Sequence, residues 1–334
     1  MDKRIDEMYQ ALSSAPPEIL PSEFWKGYNQ KNLAQLEQSG YDNFKQTAAL
    51  NYFTFVAGFR DPQINHLVSQ LPTTSLPGLF WRTLTSGKHA LLSWKGSMNY
   101  NLITHLVWEF ARQHDPDQLL ERLHEPEEGN PPRVMREDRL ISQDLANSML
   151  EYRAVMESDE LTQPIHTVME LGAGYGRTAY VYLSLQPGLR YLVVDIPPAL
   201  YLAERYLSSQ FKDRRIFRFR PFSSFAEIED EFNQAQIAFL LPNQLELLPD
   251  KGVDLFINIS SLHEMRRDQI NFYLDQINRL TRHYFYCKQW KESVNAADSI
   301  VVKEADYPFP ASWKRLYRRD GLAQNRFFET LFAL

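Results

Sequence analysis

Two stretches hold the residues best suited to chemistry. In Val168-Met-Glu-Leu-Gly-Ala-Gly-Tyr-Gly-Arg177 an apolar run contains Glu170 and passes into glycines at 172, 174 and 176. Nineteen residues beyond the last of these, the apolar run Tyr191-Leu-Val-Val-Asp195 ends in a second acid. A strand that stops at a glycine turn lets backbone approach a ligand closely. One that stops at a carboxylate can accept hydrogen bonds from both hydroxyls of a ribose. Dinucleotide sites set a pyrophosphate on a helix N-terminus and use G-x-G-x-x-G. Here the spacing is G-x-G-x-G, with an acid two residues ahead of it. That tighter pattern predicts a nucleoside cofactor without phosphates, S-adenosylmethionine, in preference to NAD. Gly172, Gly174 and Gly176 are expected against its methionine and ribose parts. Glu170 is expected near its ammonium, and Asp195 on the ribose diol.

The second stretch is Asn258-Ile-Ser-Ser-Leu-His-Glu-Met265, which closes a later apolar run. It places His263 and Glu264 on the rim where the glycines lie. An alcohol is a poor nucleophile until its proton leaves, and a positioned imidazole or carboxylate can take that proton. His263 is then either a general base or a rim histidine bonded to backbone. Glu264 is the base itself, an orienting partner of His263, or a cap for the helix that begins near Arg266. No second carboxylate cluster has ligand spacing, so no metal is expected. The other seven histidines are scattered, and Cys287 in an apolar strand reads as an inert core residue.

These residues need a sheet to hold them. Strands are predicted at Thr167–Leu171, Tyr191–Asp195, Gln236–Leu241, Val253–Ile259 and His283–Lys288, with a last one at Phe327–Phe332. Helix-like segments separate the earlier strands. Ile270, Tyr273, Leu274, Ile277 and Leu280 form one helical stripe. Ser142 is a candidate N-cap for a helix whose apolar stripe is Leu145, Met149, Tyr152 and Met156. Strand–helix alternation predicts an α/β fold, a doubly wound and mostly parallel sheet. The first 125 residues read mainly helical, including Ala90–Trp94 and Tyr100–Phe110, and the breaker-rich loop His124–Arg133 marks a boundary. The expected domains are therefore 1–128 and 129–334.

Composition narrows the function classes. A formal charge of −6 argues against a surface built for a nucleic-acid backbone. The basic clusters Arg214–Arg220 and Trp313–Arg319 read as solvated strand edges or loops. The longest apolar runs are strand-sized, so no membrane span is expected. Met1-Asp-Lys-Arg-Ile-Asp is not followed by the apolar stretch of a secretory signal. A lone cysteine excludes an internal disulfide and fits a reducing compartment, so a cytoplasmic location is expected.

Taken together, the chain resembles the class I S-adenosylmethionine-dependent methyltransferases and, more narrowly, the bacterial sugar O-methyltransferase family. The resemblance lies in Ile141-Ser-Gln-Asp-Leu-Ala-Asn-Ser148, Glu170–Arg177, Val193-Val-Asp-Ile-Pro-Pro-Ala-Leu-Tyr201, Asn258–Met265, Tyr286-Cys-Lys-Gln-Trp-Lys291 and Phe327-Phe-Glu329. Ile196-Pro197-Pro198 and Lys288–Lys291 are its more specific marks. It covers the last two thirds of the chain. It implies a Rossmann-like methyltransferase domain that moves a methyl group to a hydroxyl of a saccharide, in a natural product or surface polysaccharide. It further implies that Ala173, Tyr175, Ile196, Gln143 and Asn147 join the cofactor site. The helical N-terminal region would serve as a lid or dimerisation element completing the acceptor pocket. The rim is also similar to the Leu-His-Asp-Trp of plant-type O-methyltransferases, whose histidine is the base; Glu264 and Met265 stand here for the Asp and Trp. Methylation of another small molecule or of protein, and S-adenosylmethionine binding without catalysis, are the alternatives.

Overall fold

The computed structural model describes residues 2–52, 61–89 and 92–334. It divides into two compact units. One comprises residues 1–33, 158–321 and 326–334, the other 34–157 and 322–325. The break expected at 128/129 therefore moves. The first 33 residues belong with the sheet, where Arg4 donates to both carboxylate oxygens of Glu204 at 3.0 Å. The helix Gln143–Met156 belongs to the second unit, where the helix Trp94–Gln113 is its main packing partner.

The first unit is built on eight strands, β1 (Thr167–Leu171), β2 (Arg190–Val194), β3 (Ile216–Phe217), β4 (Ile237–Leu240), β5 (Val253–Ile259), β6 (Thr281–Trp290), β7 (Lys314–Asp320) and β8 (Phe327–Ala333). Their order across the sheet is β7-β8-β6-β5-β1-β2-β4-β3. Every pair from β6 to β3 is parallel, and β8 runs antiparallel to both β6 and β7. The expected doubly wound, mostly parallel sheet is present. From β1 the chain steps outward to β2 and the edge strand β3, returns to lay β4 between them, then crosses back to place β5 on the other flank of β1. The order thus reverses between β1 and β5, and at such a switch point a crevice opens beyond the carboxyl ends of the strands.

The six predicted strands match observed ones within two residues at each end. The two strands of this sheet that the sequence did not predict, β3 and β7, are its outer edges and overlap the basic clusters. Charge on an edge strand discourages pairing with another chain. All seven residues of β5 are buried, as a parallel strand covered on both faces requires. Met169, Leu171, Leu192, Val194 and Phe256 pack against Ile270, Leu274 and Ile277 of the helix α1 (Arg267–Leu280) in one core. Asp254 of β5 anchors the start of β1 by accepting the backbone N–H groups of His166 and Thr167 at 2.9 and 3.0 Å.

In the second unit the helix Trp94–Gln113 starts at Ser93, whose hydroxyl accepts the Gly96 N–H. Tyr100–Phe110 lie within it as expected, while residues 90 and 91 of the predicted Ala90–Trp94 stretch lie outside the described residues. Ser142 caps Gln143–Met156 by accepting the Leu145 N–H at 3.0 Å. No described helix is long and apolar enough to cross a membrane.

Candidate active site

The carboxyl ends of β1, β2 and β5 converge at the switch point. Gly172 follows β1, and its N–H reaches the Val194 carbonyl of β2 at 2.9 Å. The turn that follows uses three positive φ angles, +76° at Gly172, +61° at Gly174 and +89° at Gly176, which side chains rarely adopt. It ends at Gly176, where the helix Arg177–Leu185 begins.

Two of these glycines have a reason other than ligand approach. A Cβ on Gly172 would lie 2.3 Å from the Ser261 hydroxyl, and one on Gly176 would lie 2.8 Å from Leu207. Packing within the protein therefore requires glycine at both positions, whatever else the turn holds. The Tyr175 ring is likewise buried, edge-on to Tyr206 at 5.5 Å. Ala173 is buried in the turn, and Ile196 is half-buried beside Asp195.

Asp195 ends β2 and braces the turn. Its Oδ2 accepts the Gly174 N–H at 2.6 Å and its Oδ1 accepts the Ile196 N–H at 2.7 Å. Desolvation raises its pKa to about 7, against the opposing pull of those two N–H groups. Glu170, on β1, is buried and accepts the Tyr191 hydroxyl at 2.8 Å.

Past β5, Ser260 adopts φ +54° and turns the chain into the short helical segment Leu262–Glu264. His263 and Glu264 are 3 % and 6 % exposed, with Nε2 and Oε1 only 3.0 Å apart. The His263 Nδ1 lies 2.9 Å from the side-chain oxygen of Gln289 on β6. Burial lowers the imidazole pKa to about 4 and pushes the Glu264 carboxyl well above its usual range. Glu264 does not cap α1. The Arg266 N–H there is taken by Gln269 at 3.1 Å, leaving Glu264 as the partner of His263.

Sequence reading missed three neighbours of this pair. Gln289 and Asn258 are fully buried polar residues in otherwise apolar strands. A fully buried amide must find partners, so a glutamine inside the apolar β6 was the available signal. The third is Trp25, whose side chain lies beside the Glu264 carboxyl and partly opposes the upward shift that burial causes there. It lies in the first turn of the helix Glu23–Ser39, whose first N–H groups are capped by Asp298, at 3.0 Å from both Glu23 and Phe24. Phe24, Trp25 and Tyr28 form a partly exposed aromatic cluster with centroids 4.8 to 6.3 Å apart.

Of the predicted site residues, Glu170, Gly172 to Gly176, Asp195, Ile196, His263 and Glu264 come together at this end of the sheet. Gln143 and Asn147 belong to the second unit. They stand four residues apart on one helix face, and each has a buried carbonyl oxygen without a hydrogen-bond partner among the described residues.

No protein-family model and no curated protein matches the chain. Solved structures with a similar fold include an S-adenosylmethionine-dependent methyltransferase from Aquifex aeolicus, 13% identical with a TM-score of 0.36, covering 54% of this chain and 88% of that one. Another is the Burkholderia thailandensis 1,6-didemethyltoxoflavin-N1-methyltransferase, 17% identical with a TM-score of 0.39, covering 57% and 77%. A third is the mitomycin 7-O-methyltransferase MmcR, 13% identical with a TM-score of 0.37, covering 82% and 69%.

Proposed function

We propose that this protein is an S-adenosylmethionine-dependent O-methyltransferase acting on a saccharide hydroxyl. The observation behind the cofactor is Asp195. Each of its oxygens accepts one backbone N–H, although a carboxylate oxygen has room for two donors. A desolvated carboxylate with spare acceptor capacity, at a switch-point crevice, fits the two hydroxyl donors of a ribose. Within the second unit, Gln143 and Asn147 keep buried carbonyl oxygens with no hydrogen-bond partner among the described residues, able to accept a ligand's donors.

When bound, S-adenosylmethionine supplies an electrophilic methyl group, and the breaking C–S bond leaves its electron pair on sulfur. The chain's part is to orient the acceptor and receive its proton. His263 and Glu264 are the proposed proton-accepting pair. The Phe24, Trp25 and Tyr28 rings, next to Glu264 through Trp25, favour a saccharide because aromatic faces suit the apolar face of a sugar ring.

The test is transfer of label from methyl-tritiated S-adenosylmethionine to a panel of saccharides. The expected product is a base-stable methyl ether. Bound cofactor with no labelled saccharide would favour a binding protein or another acceptor. His263→Ala is expected to lower kcat by about 10²-fold, the lower end of what a general base supplies, with cofactor affinity unchanged. Turnover near wild type in that variant assigns the base elsewhere.

A pH dependence also follows. Ribose hydroxyls donate to the ionised carboxylate, so cofactor binding requires Asp195 deprotonated. With the pKa near 7, affinity is expected to be level above pH 8 and to fall as pH drops through 7. At pH 6 it is about tenfold weaker, since each unit below a pKa removes a factor of ten of the ionised form. Titration calorimetry from pH 6 to 8 reads this directly; a flat profile contradicts it. Asp195→Asn is expected to flatten the profile.

A further inference from the structure

We infer that Asn258 and Gln289 are positioning residues that hold the His263–Glu264 pair in one protonation pattern. In that pattern the imidazole proton is on Nδ1, and a second proton sits on the Glu264 oxygen that faces Nε2.

The assignment follows a chain of hydrogen bonds whose ends have only one possible role. The Asn258 Nδ2 donates to the Leu171 carbonyl at 2.9 Å, and its Oδ1 accepts the Leu262 N–H at 3.1 Å. A carbonyl cannot donate and an N–H cannot accept, so the Asn258 amide has one orientation. Gln289 is oriented in turn, because its Nε2 donates to the Asn258 carbonyl at 3.1 Å and to Oδ1 at 2.6 Å. Its Oε1 therefore faces Ser261 and His263. It accepts their N–H groups at 3.2 and 3.3 Å and meets the His263 Nδ1 at 2.9 Å. An amide oxygen only accepts, so Nδ1 carries a proton.

That leaves Nε2, 3.0 Å from Glu264 Oε1. In a neutral ring protonated at Nδ1, Nε2 presents a lone pair, and the carboxyl must donate. The other arrangement, imidazolium beside carboxylate, places two charges where both side chains are less than a tenth exposed. Burial disfavours that separation. The side chains facing the pair include Gln289, Trp25, the Tyr307 hydroxyl and the rings of Trp290 and Phe327, and none of these is charged at neutral pH. The directions in which burial moves both groups agree with the neutral pattern.

The consequence for catalysis rests on the reading of this pair as the proton acceptor. Glu264 Oε2 is buried with no hydrogen-bond partner among the described residues. An acceptor hydroxyl can donate there. As its oxygen bonds to the methyl carbon, its proton passes to Oε2 while the Oε1 proton passes to Nε2. The pair gains one positive charge as the sulfonium loses one. A ring in the other tautomer, with the proton on Nε2, has no lone pair facing Glu264 and breaks this path.

The experiment is nitrogen NMR of protein labelled with 15N-histidine at pH 7, with the His263 signals assigned by their loss in His263→Asn. The expected wild-type ring is neutral and protonated at Nδ1. Glu264→Gln is expected to keep that tautomer, since its amide N–H replaces the carboxyl as donor to Nε2. Gln289→Leu is expected to show the Nε2–H tautomer and a kcat at least tenfold lower, with cofactor affinity within twofold. An imidazolium or an Nε2–H ring in the wild type overturns the inference, as does Gln289→Leu with Nδ1–H alone. Should Gln289→Leu not fold, the wild-type and Glu264→Gln spectra decide. The expected spectra without any methyl transfer would refute the functional reading and leave this inference standing.

Discussion

Asp195→Ala is expected to weaken S-adenosylmethionine binding by about 10²- to 10⁴-fold. Hydrogen bonds to a charged group contribute about 1.5–3 kcal/mol each, and the proposed ribose contact uses two of them. The same carboxylate also accepts the Gly174 and Ile196 N–H groups. Removing it leaves both donors unpartnered, at about 1–3 kcal/mol each where water cannot reach. The variant should therefore lose stability as well as affinity, and both need measuring, by calorimetric titration and by denaturant melts. Asp195→Asn separates the two effects. Its carbonyl can still accept one of the N–H groups, while its amide cannot replace the carboxylate as acceptor for two hydroxyls. A folded Asp195→Ala protein with wild-type cofactor affinity would remove this residue from the site.

The second large effect is on the fold. Gly172→Ala places a Cβ 2.3 Å from the Ser261 hydroxyl oxygen and 2.5 Å from the Ser261 Cβ, at a φ of +76°. Overpacking of this kind costs about 1–3 kcal/mol, and the left-handed backbone adds about 1 kcal/mol for a residue with a side chain. A loss of about 2–4 kcal/mol is expected in urea denaturation. Because the clash lies with one neighbour, Ser261→Gly should relieve it and leave a residual cost of about 1 kcal/mol from φ alone. A double-mutant cycle reads that coupling. Additive losses would mean that Gly172 and Ser261 do not meet as described.

That clash shows where the sequence was informative and where it was not. The glycine spacing located the turn, and the acid after Tyr191–Val194 located its brace. Period and patterning were enough because a buried parallel strand must be apolar along its length, so its end is visible. The purpose of each glycine was not legible. Whether a glycine faces a ligand or a neighbouring side chain depends on which strands lie side by side, and the Gly172–Ser261 contact joins the ends of β1 and β5, which 81 residues of chain separate. The edge strands β3 and β7 were hidden for a related reason. An edge strand is paired on one side and solvated on the other, so its charged residues imitate a loop.

The pair at 263 and 264 was legible only as chemistry-capable types on a rim. Its arrangement depends on Gln289, which joins it from β6, and on Asn258 from β5. Neither amide lies in a pattern that spacing alone detects. The first 33 residues carry a helical pattern, yet Arg4, which donates to Glu204 and Phe219, and Trp25, beside Glu264, belong with the sheet through polar contacts that no periodicity announces.

We propose that S-adenosylmethionine binds in the crevice that the switch point opens at the carboxyl ends of β1, β2 and β5. A crystal structure of the protein with S-adenosylhomocysteine tests this reading. The expected result is a nucleoside in that crevice, with both ribose hydroxyls within hydrogen-bonding distance of the Asp195 carboxylate. A nucleoside bound elsewhere, or a crevice that stays empty at saturating ligand, would contradict it.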